Sequence, residues 1–294
     1  MNWIELERAF TRAVLLSFSR KKMILAFPSL VLCGVLFVFC RAVAFDANNW
    51  ISMSLAFLPI LLSSGVLLAL GVLLIQAHDR EMKRISFSLR DLVFNSADSI
   101  ISTSFLSIPP ILAYLCFWIL MGIFYLFKEI PFIGDFFSVV FSFCPFLLIF
   151  GSLCLCLANV TLLFFAAPLF AFQPTKGIRL TQQFLQTMTS RLLTRFILLA
   201  IALVPIGFVA ALLSFAAVLT KESFLIGEKS ISVALEWFFI MLPFAALLTP
   251  AVIFFFNFAA ESHRLLDPSR RRGSMPPFGP SGAFSASPPH SEKR

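Results

Sequence analysis

The chain has 294 residues, of which 59% are hydrophobic and only 13% charged, with a net charge of +8 and a mean hydropathy of +0.93. A soluble domain carries about a quarter charged residues, and a chain of this length cannot build a core large enough to hide so much apolar surface. A soluble fold is excluded, and a nucleic-acid partner with it, because the basic residues punctuate apolar runs instead of gathering on a polar face.

In chain order, residues 3–22 read as a basic amphipathic helix, with Ile4, Phe10, Val14 and Phe18 set against Glu7, Arg8, Arg12 and Arg20. The first apolar run is 23–40. It resembles a signal h-region followed by Ala42-Val43-Ala44, but the 22 residues before it are too many and Arg41 abuts the site, so it is read as a retained span. The next run, 51–75, leads into His78, Asp79, Arg80 and Glu81, which are read as a solvated loop. A third run covers 105–127. The fourth, 136–172, would make a helix of about 55 Å, too long for one upright span. It is therefore taken as one span over 143–172, starting near Pro145, with an interfacial shoulder over 136–144. Residues 180–195 form another amphipathic segment, with Phe184, Leu185, Met188 and Leu192 at helical spacing. Runs at 196–219 and 231–260 complete the set, the last span lying near 238–260.

Each run meets the roughly 20 apolar residues that a 30 Å hydrocarbon slab requires, the shortest with help from its flanks. The expectation is an all-α polytopic membrane protein with six transmembrane helices. Residues 1–262 form the membrane domain. Residues 263–294, rich in Pro, Ser and Gly, form a disordered cytoplasmic tail.

Lysine and arginine number nineteen on one set of alternate segments and four on the other, namely Arg41, Lys128, Lys221 and Lys229. That asymmetry puts both termini in the cytoplasm and fits an inner (plasma) membrane. Trp50 and Trp237 suit an anchor at the far interface, and Trp3 one at the near side.

Prolines repeat along the spans. Pro28, Pro109 with Pro110, and Pro205 fall in the odd spans; Pro59, Pro145 and Pro243 fall in the even ones. Gly65, Gly151 and Thr249 each follow the even-span proline by six residues, and Asn159 and Asn257 follow theirs by fourteen. Three parallel units are inferred, each an interfacial helix leading into a transmembrane hairpin, with kinks at Pro28, Pro59, Pro109, Pro145, Pro205 and Pro243. The charged motif that follows the odd-span proline in mitochondrial carriers is missing after Pro28, Pro110 and Pro205, so that family is excluded.

An interfacial helix before each hairpin and an aliphatic-proline break early in the span resemble a loose group of bacterial polytopic proteins. The membrane domain fused to some glycerophosphodiester phosphodiesterases belongs to it. The resemblance covers about residues 5–262 and implies architecture but no activity, since the catalytic part is absent.

Candidates for chemistry are few. Asn159 and Asn257 would lie at equal depth, either bridging helices or lining a polar path. Glu236 is read as a solvated interface residue. Ser152 and His263 would lie ~20 Å apart in depth, far beyond the ~3 Å a nucleophile and base need. Cys33, Cys40, Cys116, Cys144, Cys154 and Cys156 are read as buried, inert thiols, with Cys154 and Cys156 about 200° apart around a helix. The expected protein is not an enzyme and has no cofactor and no metal. It acts structurally or through lipid or protein partners, anionic lipid headgroups fitting its basic face. The alternative is a permease for a neutral or lipid-like solute.

Overall fold

A computed structural model describes residues 3–45, 49–85, 88–128, 130, 139, 143–172, 192–224 and 230–266. Its helices are α1 (Trp3–Leu15), α2 (Arg20–Phe45), α3 (Asn49–Met82), α4 (Leu89–Asn95), α5 (Ala97–Ser104), α6 (Ile108–Lys128), α7 (Cys144–Phe172), α8 (Leu192–Phe224) and α9 (Ser230–Leu266). Short 3-10 turns, Leu16–Phe18 and Phe105–Ser107, precede α2 and α6. No strand occurs among the described residues. Where water is absent, each backbone N–H and C=O must be satisfied within its own segment, and long apolar runs meet that demand only as helices.

Six helical segments are long and apolar enough to cross a membrane, with mean hydropathies between 2.1 and 2.9. The chain is thus a multi-pass membrane protein. Most of the interfacial shoulder expected at 136–144, most of the amphipathic segment at 180–195, and the tail beyond Leu266 lie outside the described residues, while Cys144 itself begins α7.

The prolines fall into two structural classes. Pro28, Pro59, Pro205 and Pro243 lie inside helices, each removing a backbone donor, as do Pro168 and Pro250. Pro109 and Pro110 instead open α6 after the 3-10 turn, and Pro145 opens α7. In a first turn the missing N–H would have had no intrahelical partner, so these prolines start helices instead of kinking them.

Two helices form the centre. The second half of α3 buries Leu68, Leu70, Val72, Leu74 and Ile75, and α9 is buried without interruption from Ala251 to Ser262. A helix enclosed on all sides must be apolar all round, and both stretches are largely so. Consecutive helices α2/α3, α6/α7 and α8/α9 are in contact, and α9 also packs on α1, α2, α3 and α7. Phe164 of α7 meets Phe255 edge-on at 5.4 Å, and Phe10 of α1 meets Phe254 at 5.2 Å.

Leu, Phe and Ile side chains cover much of the outer surface, as bilayer-facing positions require. Cys116 and Cys154 share that surface, so the expectation that all six thiols are buried fails for these two. Lipid holds an apolar thiol as readily as a protein core does.

The end of α3 is closed by its own backbone. Ile85 N–H bonds Arg80 C=O at 3.0 Å and Arg84 N–H bonds Glu81 C=O at 3.0 Å, while Arg84 adopts φ 54°. This is a Schellman cap with arginine in the left-handed position usually given to glycine. It holds the last turns of α3, with His78, Asp79 and Glu81, in helical register.

Candidate functional site: a buried charge cluster

Lys22, in the first turn of α2, is fully enclosed, and so is His78 of α3, both at 0% exposure. The Lys22 Nζ lies 2.7 Å from Glu81 Oε2 and 3.2 Å from Asn257 Oδ1. It also approaches the Leu16 carbonyl and His78 Nδ1, each at 3.4 Å. His78 Nε2 lies 2.9 Å from Glu261 Oε1. This wiring assigns the tautomer: Nδ1 accepts from the ammonium and the Nε2–H donates to the carboxylate. Asn257 turns its amide Nδ2 to the Ala13 carbonyl at 3.4 Å and to Ser17 Oγ at 3.5 Å. Ser19 Oγ donates to Glu81 Oε1 at 2.7 Å.

Around this interior sits a second layer. Glu261 Oε2 lies 3.7 Å from Arg12 Nη2, and Glu261 Oε1 lies 3.6 Å from Arg264 Nη1. Arg264 also pairs with Asp79, which pairs with Lys83 at 2.6 Å, and its guanidinium lies over the Phe172 ring at 5.6 Å. The Asp79–Lys83 pair is exposed and contributes little. The enclosed groups differ, because a buried charge survives only when opposite charges and hydrogen bonds occupy its donors.

The cluster draws on α1, the first 3-10 turn, α2, α3 and α9. His78 and Glu81 are three residues apart, and Asn257, Glu261 and Arg264 are four and three apart, so each set lines one helix face. The arrangement ties α1 and the start of α2 to the ends of α3 and α9. An imidazole between an ammonium and a carboxylate could pass a proton, and both Lys22 and His78 are enclosed. Its chemistry is that of an electrostatic clasp.

The sequence expectation for His78 is overturned: it lies in a helix, buried, between Lys22 and Glu261. Burial follows because α2 and α9 pack against this end of α3, a long-range packing that local polarity does not report. Lys22, counted among the orientation charges, is likewise internal. Asn257 belongs to the clasp, whereas Asn159 is buried in α7 with an Oδ1 that has no hydrogen-bond partner, so the two amides do not share a site. Glu236 is half-buried on α9. Glu261 is a member of the cluster that the sequence expectation missed; the signal that could have found it is the polar face of Asn257, Glu261 and Arg264 at the end of an apolar helix.

No family model, no curated protein and no solved structure matches the chain. The clasp must be judged on its own geometry.

The two asparagines should part company on substitution. Asn257→Leu is expected to destabilise by about 1–3 kcal/mol, leaving the Lys22 ammonium short of an acceptor. Asn159→Leu should be neutral or stabilising, since an unpartnered carbonyl is lost. Unfolding in mixed micelles would check both, and equal losses would contradict the assignment.

Proposed function

We propose a non-enzymatic, lipid-interacting protein of a bacterial inner (plasma) membrane, with both termini cytoplasmic and six spans arranged as three hairpins. The observation that carries this reading is the docking of α1. Leu6, Ala9 and Ala13 are buried on that side, and the clasp grips Arg12, Ala13, Leu16 and Ser17. Trp3, Ile4, Leu15 and Phe18 stay exposed, along with Arg8 and Arg20. An apolar flank beside arginines suits a helix lying at the surface of an anionic bilayer. The nineteen-to-four sorting of basic residues supports the same side. The likeness to the membrane domain of glycerophosphodiester phosphodiesterases enters here as a proposal of architecture only.

Full-length protein in nanodiscs of phosphatidylcholine, with and without phosphatidylglycerol, tests this. Anionic lipid should raise the unfolding temperature of the native protein. Arg8→Glu with Arg20→Glu should abolish the rise, at about 1 kcal/mol per arginine. An unfolding temperature indifferent to lipid charge in both proteins would overturn the proposal.

A cavity of about 420 Å³ between α2, α3, α8 and α9 favours a second reading, a permease for a neutral or lipid-like solute. Reconstituted vesicles that move such a solute only when the protein is present would establish it; absence of flux would dismiss it.

A further inference from the structure

The cavity between α2, α3, α8 and α9 is open and lined mainly by apolar side chains. Ser63, Ala210, Ser214 and Ala245 are small side chains in its wall, set between larger ones such as Phe37, Met241 and Phe244. Its volume of about 420 Å³ falls in the range of roughly 300–1,000 Å³ typical of ligand pockets. A second cavity of about 210 Å³ shares Phe37 and Pro59 with it and adds Arg41, Ser52 and Trp237. The two together make an apolar groove with a basic, aromatic mouth.

Depth gives the groove its meaning. Lys22 and Arg41 bracket the apolar run of α2 and lie about 28 Å apart along the axis, close to the ~30 Å of a hydrocarbon core. Arg41 therefore stands at headgroup level on the side away from the clasp. The groove runs along α2 from Arg41 to Leu30, about 16 Å, or one leaflet. Arg41 is exposed and has no ion-pair partner among the described residues. A guanidinium left open beside Trp237 is a receptor for a phosphate, the charge that bilayer lipids present at this depth.

We infer that the groove holds one acyl chain of an anionic glycerophospholipid drawn from the surrounding leaflet, with its phosphate on Arg41. This rests on the reading of the protein as lipid-interacting and names the lipid and its seat. The site lies at the opposite end of α2 from the α1 surface, so the two fail independently.

Purified full-length protein is incubated in micelles with equal amounts of phosphatidylglycerol and phosphatidylethanolamine, and retained lipid is counted by native mass spectrometry. The native protein should retain one lipid, preferring phosphatidylglycerol. Arg41→Gln should lower retention of phosphatidylglycerol about five-fold, the worth of one basic side chain against an anionic headgroup, and that of phosphatidylethanolamine less, because its ammonium already offsets the phosphate. Ala210→Trp, which fills the groove from an exposed position on α8, should reduce retention of both lipids. Ser214→Phe, on the same helix, serves if that variant does not fold. Arg8→Glu with Arg20→Glu should leave retention unchanged. No retained lipid in the native protein, or retention indifferent to both Arg41 and the groove-filling variants, overturns the inference. Retention that follows Arg8 and Arg20 instead also overturns it while favouring the α1 surface.

Discussion

Lys22→Met is expected to cost about 3–5 kcal/mol of stability, the penalty for removing one partner of a buried ion pair. Methionine fits the channel left by the lysine stem but carries no donors. Glu81, Asn257 Oδ1, His78 Nδ1 and the Leu16 carbonyl would each lose the ammonium that now joins them. The junction of α1 and α2 with α3 and α9 should loosen first, since four of its contacts pass through one nitrogen. Denaturant unfolding in mixed micelles, with proteolysis near the 3-10 turn as a local readout, would measure both effects. A loss below about 1 kcal/mol would mean that the cluster behaves as an exposed pair. The double variant Lys22→Met with Glu81→Gln should recover part of the loss, because it no longer leaves a carboxylate alone. Coupling of about 0.5–3 kcal/mol is expected for groups in direct contact. Additive losses would show that the two side chains act separately.

Gly71→Leu should be the most damaging apolar substitution in the bundle, and Gly71→Ala the informative one. A Cβ built on Gly71 would collide with Cε1 of the Phe256 ring and come within 2.8 Å of its Cδ1. Phe256 is itself buried and cannot swing away, so α3 and α9 would have to separate. Overpacking of this kind costs about 1–3 kcal/mol, enough to outweigh the ~1 kcal/mol by which alanine favours the helix over glycine. Leucine should exceed that range and reduce the folded yield. Gly207 provides the control, because a Cβ there meets open space and Gly207→Ala should be neutral or stabilising. Adding Phe256→Leu to Gly71→Ala should restore part of the loss. Equal unfolding midpoints for Gly71→Ala and the native protein would refute close packing at this crossing.

Much of the architecture is legible in residue order alone. An apolar run in a bilayer has no alternative to helix, so counting runs such as 51–75 and 196–219 counts spanning helices. The start of α7 at Cys144 agrees with the span read to begin near Pro145, although length alone does not set such a boundary, since α9 runs through 37 residues. The roles of the prolines were half readable: position in the chain reveals the residue, but only the helix boundaries reveal that Pro145 opens α7 while Pro59 sits within α3. Asn257 stood out because a lone amide is conspicuous in an apolar helix. Its partners did not, because Lys22, His78 and Glu261 lie in charged flanks where such residues are ordinarily solvated.

By itself, then, the sequence determined that this protein is helical and membrane-embedded, with six stretches long and apolar enough to cross a bilayer and its basic charge gathered on alternate segments between them. Those properties follow from solvent partition, which each segment settles for itself. Only the tertiary structure decided which charges face water and which are enclosed. Lys22 and His78 are buried where the start of α2 and the end of α9 meet the end of α3, through contacts such as His78–Glu261 and Lys22–Asn257, 183 and 235 positions apart. The same packing sets an exposed Arg41 at the edge of an apolar cavity, a pairing of cation and cavity that no stretch of sequence contains.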